Sequence, residues 1–216
     1  MKNSNMYEEY TRRLEKHESM QNSISDAMSA AHDRLNVSYL AGQYLKGEHA
    51  GMTKTYEAYL ASACGEYGES FVKKFSATTA TMTPQELEGV SQNLDNMHKS
   101  ARRTEVIMSA ALPVSKIGAN AAREGLDVEF DKMKGVSPDT DSLAAVDSYY
   151  GTVCERLAVI VKESYATNGK EPDASKSYRD ELYKDLRSVG VEANEADHIA
   201  EYVDDVTKSD DIDITK

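Results

Sequence analysis

Residues 7–35 read YEEYTRRLEKHESMQNSISDAMSAAHDRL, and this stretch decides the fold class. A side chain suited to packing recurs every three or four residues over four heptads, and no Gly or Pro follows before Gly42. That spacing aligns one stripe on one face of a helix. We predict a first helix over about residues 5–46, roughly 60 Å long at about 1.5 Å per residue. Its seam contains Tyr7, Tyr10, Leu14, His17, Gln21, Ile24, Met28, Ala31 and Leu35.

The same spacing continues beyond a turn that Gly47 and Gly51 bracket. Small residues dominate 111–122, so another helix can approach closely there, and we predict that this stretch is heavily buried. Pro113 should kink or break its helix, because proline removes a backbone donor and clashes with the preceding turn. The predicted elements are a helix over 52–75, a loop over 76–82, a helix begun by the capping box Thr83-Pro84-Gln85-Glu86, a helix from about 141, and short helices over 173–189 and 193–206.

The predicted fold class is therefore all-α. We expect an elongated bundle of about four long helices, followed by a short C-terminal helical hairpin joined at Gly190. Few prolines and no tryptophan in 216 residues suit long helices better than a β fold. The predicted domains are a long-helix bundle over 1–167, an acidic hairpin over 173–208 and a polar tail over 209–216.

Charge is unevenly distributed along the chain, whose net charge is −12. Residues 1–112 carry 12 basic against 14 acidic side chains, whereas residues 113–216 carry 13 against 23. The acidic half would repel nucleic acid and membrane surfaces and could attract a basic partner. The longest apolar stretch, 106–122, is too short and too polar to span a bilayer, and the N-terminus reads as no secretory signal. We expect a cytoplasmic protein, or one within a particle assembled in the cytoplasm.

A search for metal-site and nucleophile patterns finds no convincing site. Glu195 and His198 form one Glu-x-x-His pair and Asp95 and His98 a weaker approximation, whereas a di-metal bundle needs two such pairs and further glutamates. Cys64 and Cys154 have no metal or redox spacing, and we interpret them as reduced thiols. Gly65 and Gly68 weaken the second helix rather than cradle phosphate. We therefore predict no catalytic, cofactor-binding or metal-binding residue.

Two further clusters have a surface interpretation. His98, Lys99, Arg102 and Arg103 could contact phosphates, but Asp95 and Glu105 flank them, so a solvated face is favoured over nucleic-acid binding. Tyrosines concentrate on the first, second and fourth helices. They suit either half-buried bundle packing or a protein–protein surface, because each combines apolar area with a polar tip.

These observations favour a non-enzymatic helical protein with a structural or protein-interaction role. The role would be in assembly, as a virion or scaffold-like subunit, or as an adaptor, with homo-oligomers and other proteins as partners. One alternative is an acidic inhibitor or regulator that binds a basic protein surface, with nucleic-acid mimicry as one form. Another alternative is a helical-bundle metal protein or enzyme. No cofactor and no direct contact with nucleic acid or membrane are expected.

Overall fold

The computed structural model describes residues 3–166 and 177–208, with the backbone alone at residues 3–4 and 63–67. Within these ranges every regular element is an α-helix, so the all-α prediction is confirmed. Four long helices precede a short pair, in the predicted order. The helices are α1 (Asn3–His49), α2 (Thr53–Thr79), α3 (Pro84–Met133), α4 (Asp141–Tyr165), α5 (Arg179–Val189) and α6 (Ala193–Lys208).

The chain divides into two compact units. The terminal unit comprises Met1–Ser29 and Arg103–Lys216, and the central unit comprises Ala30–Arg102. Helices α1 and α3 contribute a segment to each unit, and the α5–α6 hairpin belongs to the terminal unit. The predicted linker over 168–172 and the predicted tail over 209–216 lie outside the described residues, so the predicted domain boundaries stay a prediction.

The seam of α1 is buried within the chain at every seventh residue. Tyr10, His17, Ile24 and Ala31 are buried, and the intervening seam residues from Leu14 to Leu35 are half-buried. The seam prediction is thus confirmed from Tyr10 onward, whereas Tyr7 is exposed. Seven-residue spacing returns a side chain to nearly the same helix face, which explains the single buried stripe.

The capping box that begins α3 forms as predicted. The Thr83 N–H donates to a Glu86 carboxylate oxygen at 2.7 Å, and the Glu86 N–H donates to Thr83 Oγ1 at 3.3 Å. These bonds hold the pKa of the Glu86 carboxyl below its usual value, chiefly through the Thr83 N–H. The box therefore satisfies backbone groups that a helix start otherwise leaves without partners.

Helix α3 continues through Pro113, so of the two predicted outcomes the break is wrong, whereas the kink stays a prediction. Proline removes a single N–H, and the carbonyl that would have received it belongs to exposed Ser109. Around the proline, Met108, Ala111 and Val114 are almost fully buried, so packing outweighs the lost bond. The heavy burial predicted for 111–122 is confirmed, with Ser115, Gly118, Ala119, Ala121 and Ala122 also buried.

Helix α2 is longer than predicted and ends at Thr79 rather than near residue 75. The hydroxyl groups of Thr78 and Thr79 donate to carbonyls one turn back, on Lys74 and Phe75, so both threonines remain helical. The ring of Phe75 packs edge-on against Tyr44 in the central-unit core, which anchors this last turn. Composition alone therefore misassigned residues 76–79 to a loop.

Three helix ends share one glycine geometry. Gly51, Gly135 and Gly190 have φ of 66°, 72° and 103°, in the left-handed region that favours glycine. After Gly190, the Val191 N–H donates back to the Leu186 carbonyl at 3.1 Å, which closes the turn that joins α5 to α6. Helix α5 begins at Arg179, later than predicted, and residues 173–176 lie outside the described residues.

Candidate functional site

Two buried polar contacts in the terminal unit hold the α5–α6 hairpin against the long helices. The first centres on Asp185 of α5, which is only 5% exposed. Arg103 of α3 donates to both of its carboxylate oxygens, from Nε at 2.7 Å and from a terminal guanidinium nitrogen at 2.8 Å. Two parallel charge-assisted bonds fix the angle of both side chains as well as their separation. This contact therefore sets the position of α5 on α3.

Tyr165 of α4 completes this contact from the other side. Its hydroxyl donates to Asp185 Oδ2 at 2.9 Å, and the Arg103 guanidinium lies 5.3 Å from its ring centre. Its ring also stacks on Tyr178 with centres 5.3 Å apart. Burial, followed by the Asp185 charge, raises the pKa of Tyr165. The phenol therefore stays protonated and serves as a donor to Asp185.

The second contact joins α1 to α6 through His17 and Tyr202. His17 Nδ1 and the Tyr202 hydroxyl share a hydrogen bond of 3.0 Å, and both side chains are buried. The Tyr150 ring of α4 meets the His17 ring edge-on, with centres 5.4 Å apart. Burial, aided by the charges of Lys16 and Arg13, lowers the pKa of His17 to about 4. The imidazole is therefore neutral near pH 7.

Cys154 lies beside this second contact and behaves as a core residue. The thiol is buried, and burial raises its pKa. A protonated buried thiol is a poor nucleophile, in keeping with its interpretation as a reduced structural residue. The side chain of Cys64 lies outside the described residues.

A cavity of about 280 Å³ opens between α4, α5 and α6 near these contacts. Its apolar walls include Val161, Leu182 and Val203, which are all buried. Its polar lining includes Lys162, Arg179, Asp204 and Lys208. The cavity thus combines apolar walls with several charged groups.

The candidate ligand pairs from the sequence do not assemble into a metal centre. Among the side chains that the structure describes, no three of His, Cys, Asp or Glu are grouped closely enough to hold a metal ion. His98 shares a 3.0 Å hydrogen bond with Ser38, and His198 is exposed on α6 beside half-buried Glu195.

Only part of the predicted basic face is a solvated surface in the structure. Lys99 and Arg102 are exposed, as predicted, but the Arg103 side chain pairs with Asp185, 82 residues further along the chain. One signal in the sequence indicated that Asp185 needs a partner. Asp185 falls between Leu182 and Leu186 on the apolar face of α5, where a carboxylate needs a partner.

In comparisons with known proteins, no protein-family model, curated protein or solved structure matches the chain. Among the described helices, none is both long enough and apolar enough to cross a membrane.

Proposed function

We propose that this chain is a non-enzymatic helical protein that works through contacts with other proteins, copies of itself included. Its role would be in assembly, as a virion or scaffold-like subunit, or as an adaptor. The proposed place of action is the cytoplasm or a particle assembled there. Because α1 buries its seam within the chain, the contacts would use other surfaces.

The observation that carries this proposal is a tyrosine patch on the central unit, formed by Tyr39 and Tyr59. Tyr39 and Tyr59 are 47% and 50% exposed, and their hydroxyl oxygens lie 3.3 Å apart. Tyrosine is enriched in the cores of protein interfaces, so this patch suits a protein partner.

A matched pair of tyrosine variants tests the patch. We expect Tyr59→Asp to weaken self-association about tenfold or more, because it places a charge in the contact. Tyr149→Asp is the control, since Tyr149 is 58% exposed on α4 and outside the patch. Sedimentation velocity over a concentration series gives the dissociation constants. Equal constants for both variants and the unmodified chain would contradict a role for the patch.

The acidic-regulator alternative has weaker support. Several C-terminal acids already pair within the terminal unit: Asp197 with Arg179, Asp204 with Lys208 and Asp205 with Lys16. Such pairing reduces the charge available to an external basic surface. If this alternative held, binding to a basic protein would weaken steeply as salt rose to about 0.5 M.

The metal-protein alternative has a direct test of its own. Elemental analysis of the purified chain, combined with thermal melts with and without chelator, would reveal a structural metal. A stoichiometric metal and a melt lowered by chelator would support this alternative over the interaction role.

A further inference from the structure

The cavity between α4, α5 and α6 is small and has several buried apolar residues in its walls. Its volume of about 280 Å³ lies just below the lower end of the usual range for ligand pockets, roughly 300–1,000 Å³. Tyr178, Leu182 and Ala200 line it and are buried. Its interior therefore suits a small apolar body rather than a hydrated ion.

The charged groups of the cavity are mostly cationic. Among the described residues, Lys162, Arg179 and Lys208 line it, together with one acid, Asp204. Both oxygens of Asp204 are already engaged, one with Ser177 Oγ at 2.7 Å and the other with Lys208 Nζ at 2.6 Å. Because Arg179 also pairs with Asp197 and Lys208 pairs with Asp204, the positive charge left to attract an anion at the cavity is mainly that of Lys162.

The Arg179 guanidinium lies at the edge of the cavity and has N–H donors that its bond to Asp197 does not use. One terminal nitrogen donates to Asp197 Oδ1 at 2.7 Å, whereas Nε is shielded from solvent and has no hydrogen-bond partner among the described residues. A guanidinium carries five N–H donors, and a buried donor without an acceptor costs free energy. A carboxylate bound nearby could supply that acceptor after a small rotation of the side chain.

We propose that this cavity binds a small amphiphilic anion, a carboxylate attached to a short apolar chain. The carboxylate would lie between Lys162 and Arg179, and the apolar chain would lie against Val161, Leu182 and Val203. This proposal is independent of the protein-interaction role, because the tyrosine patch belongs to the other compact unit.

Calorimetric titration of the full chain with octanoate tests this site. We expect saturable one-to-one binding with a dissociation constant of about 1 mM or tighter, as a ligand of this size allows. Octylamine, which has the same apolar chain and the opposite charge, should bind at least about tenfold more weakly. Equal binding of both probes, or no saturation by octanoate up to about 10 mM, would overturn the proposal.

Substitutions inside and outside the cavity test where octanoate binds. Lys162→Gln should weaken octanoate binding at least about threefold, whereas Lys184→Gln, at an exposed position of α5 outside the cavity, should leave it unchanged. Ala158→Phe should fill the cavity and abolish binding, with a circular dichroism melt as the check on folding. If octanoate bound the Ala158→Phe chain as tightly as the unmodified chain, its site would lie elsewhere and the proposal would fail.

Discussion

Gly118 and Gly125 of α3 leave space for α1 in the terminal unit, because neither residue has a side chain. A Cβ at Gly118 would collide with the His17 ring, and one at Gly125 would collide with the Tyr10 ring. Both rings are buried seam residues of α1, and Tyr10 packs with Val128 and Leu143. The two glycines of α3 therefore leave the space that these rings occupy.

We expect Gly118→Ala to lower the free energy of unfolding by about 1–3 kcal/mol, because the added methyl overpacks the His17 site. Gly89→Ala is the control, since a Cβ there meets nothing within 4 Å. At that helical position alanine should stabilise by about 0.5–1 kcal/mol. Urea unfolding of both variants checks the pair, and destabilisation of equal size would contradict the close contact.

We expect Asp185→Asn to destabilise the chain by about 2 kcal/mol, because it removes the charge that compensates half-buried Arg103. Asp197→Asn breaks a more exposed pair with Arg179 and should cost less than about 0.5 kcal/mol. Chemical denaturation near pH 7 compares the two. If Asp197→Asn proved as costly as Asp185→Asn, burial would not be what makes the Arg103 pair important.

At the scale of whole elements, the α1–α6 contact should respond to pH through His17. Its pKa of about 4 in the folded chain lies below the ordinary value of 6.5, because burial disfavours the charged ring. Above pH 6.5 neither state binds the proton, so stability is unaffected. Between pH 6.5 and 4 the unfolded chain binds the proton first, and stability falls. Tyr150 and Tyr202, which also face the ring, stay neutral in this range.

We therefore expect the unmodified chain to lose about 2 kcal/mol more stability than His17→Gln between pH 7 and pH 5. Carboxylates that titrate in the same pH range contribute equally to the stability of both chains, so their contribution cancels in the comparison. Urea unfolding at both pH values gives the four free energies. An identical pH dependence for the two chains would mean that His17 is already accessible to protons in the folded state.

Element type followed directly from the sequence, whereas some boundaries did not. The seven-residue spacing in α1 and the capping box of α3 are local sequence patterns, and both form in the structure as predicted. The end of α2 depends on the packing of half-buried Phe75 against Tyr44, and the passage through Pro113 depends on the burial of neighbouring residues such as Met108. Tertiary packing of this kind outweighs local propensity and is not encoded within a short window.

The buried polar contacts were the least predictable part of the site. Arg103 and Asp185 lie 82 residues apart, and His17 and Tyr202 lie 185 apart, so no local pattern connects either pair. Only the position of Asp185 on an apolar helix face indicated that a partner was needed. The cavity among α4, α5 and α6 depends on three helices at once, so its lining could not be read from any one of them.

For the molecule as a whole, the interaction role rests on exposed aromatic surface rather than on any motif. Protein interfaces have no fixed residue spacing, unlike catalytic or phosphate-binding loops. The sequence therefore supports a proposal only at the level of a broad functional class. The structure adds a definite surface to test, the tyrosine patch, whose two members are about half exposed.

The absolute mass of the unmodified chain in solution tests the self-association claim most directly. Light scattering coupled to size-exclusion chromatography, at two loading concentrations, measures it without assumptions about shape. We expect a mass that rises with concentration to at least twice the 23.9 kDa of one chain. A mass of 23.9 kDa at both concentrations would contradict self-association and leave contacts with other proteins as the remaining form of the proposed role.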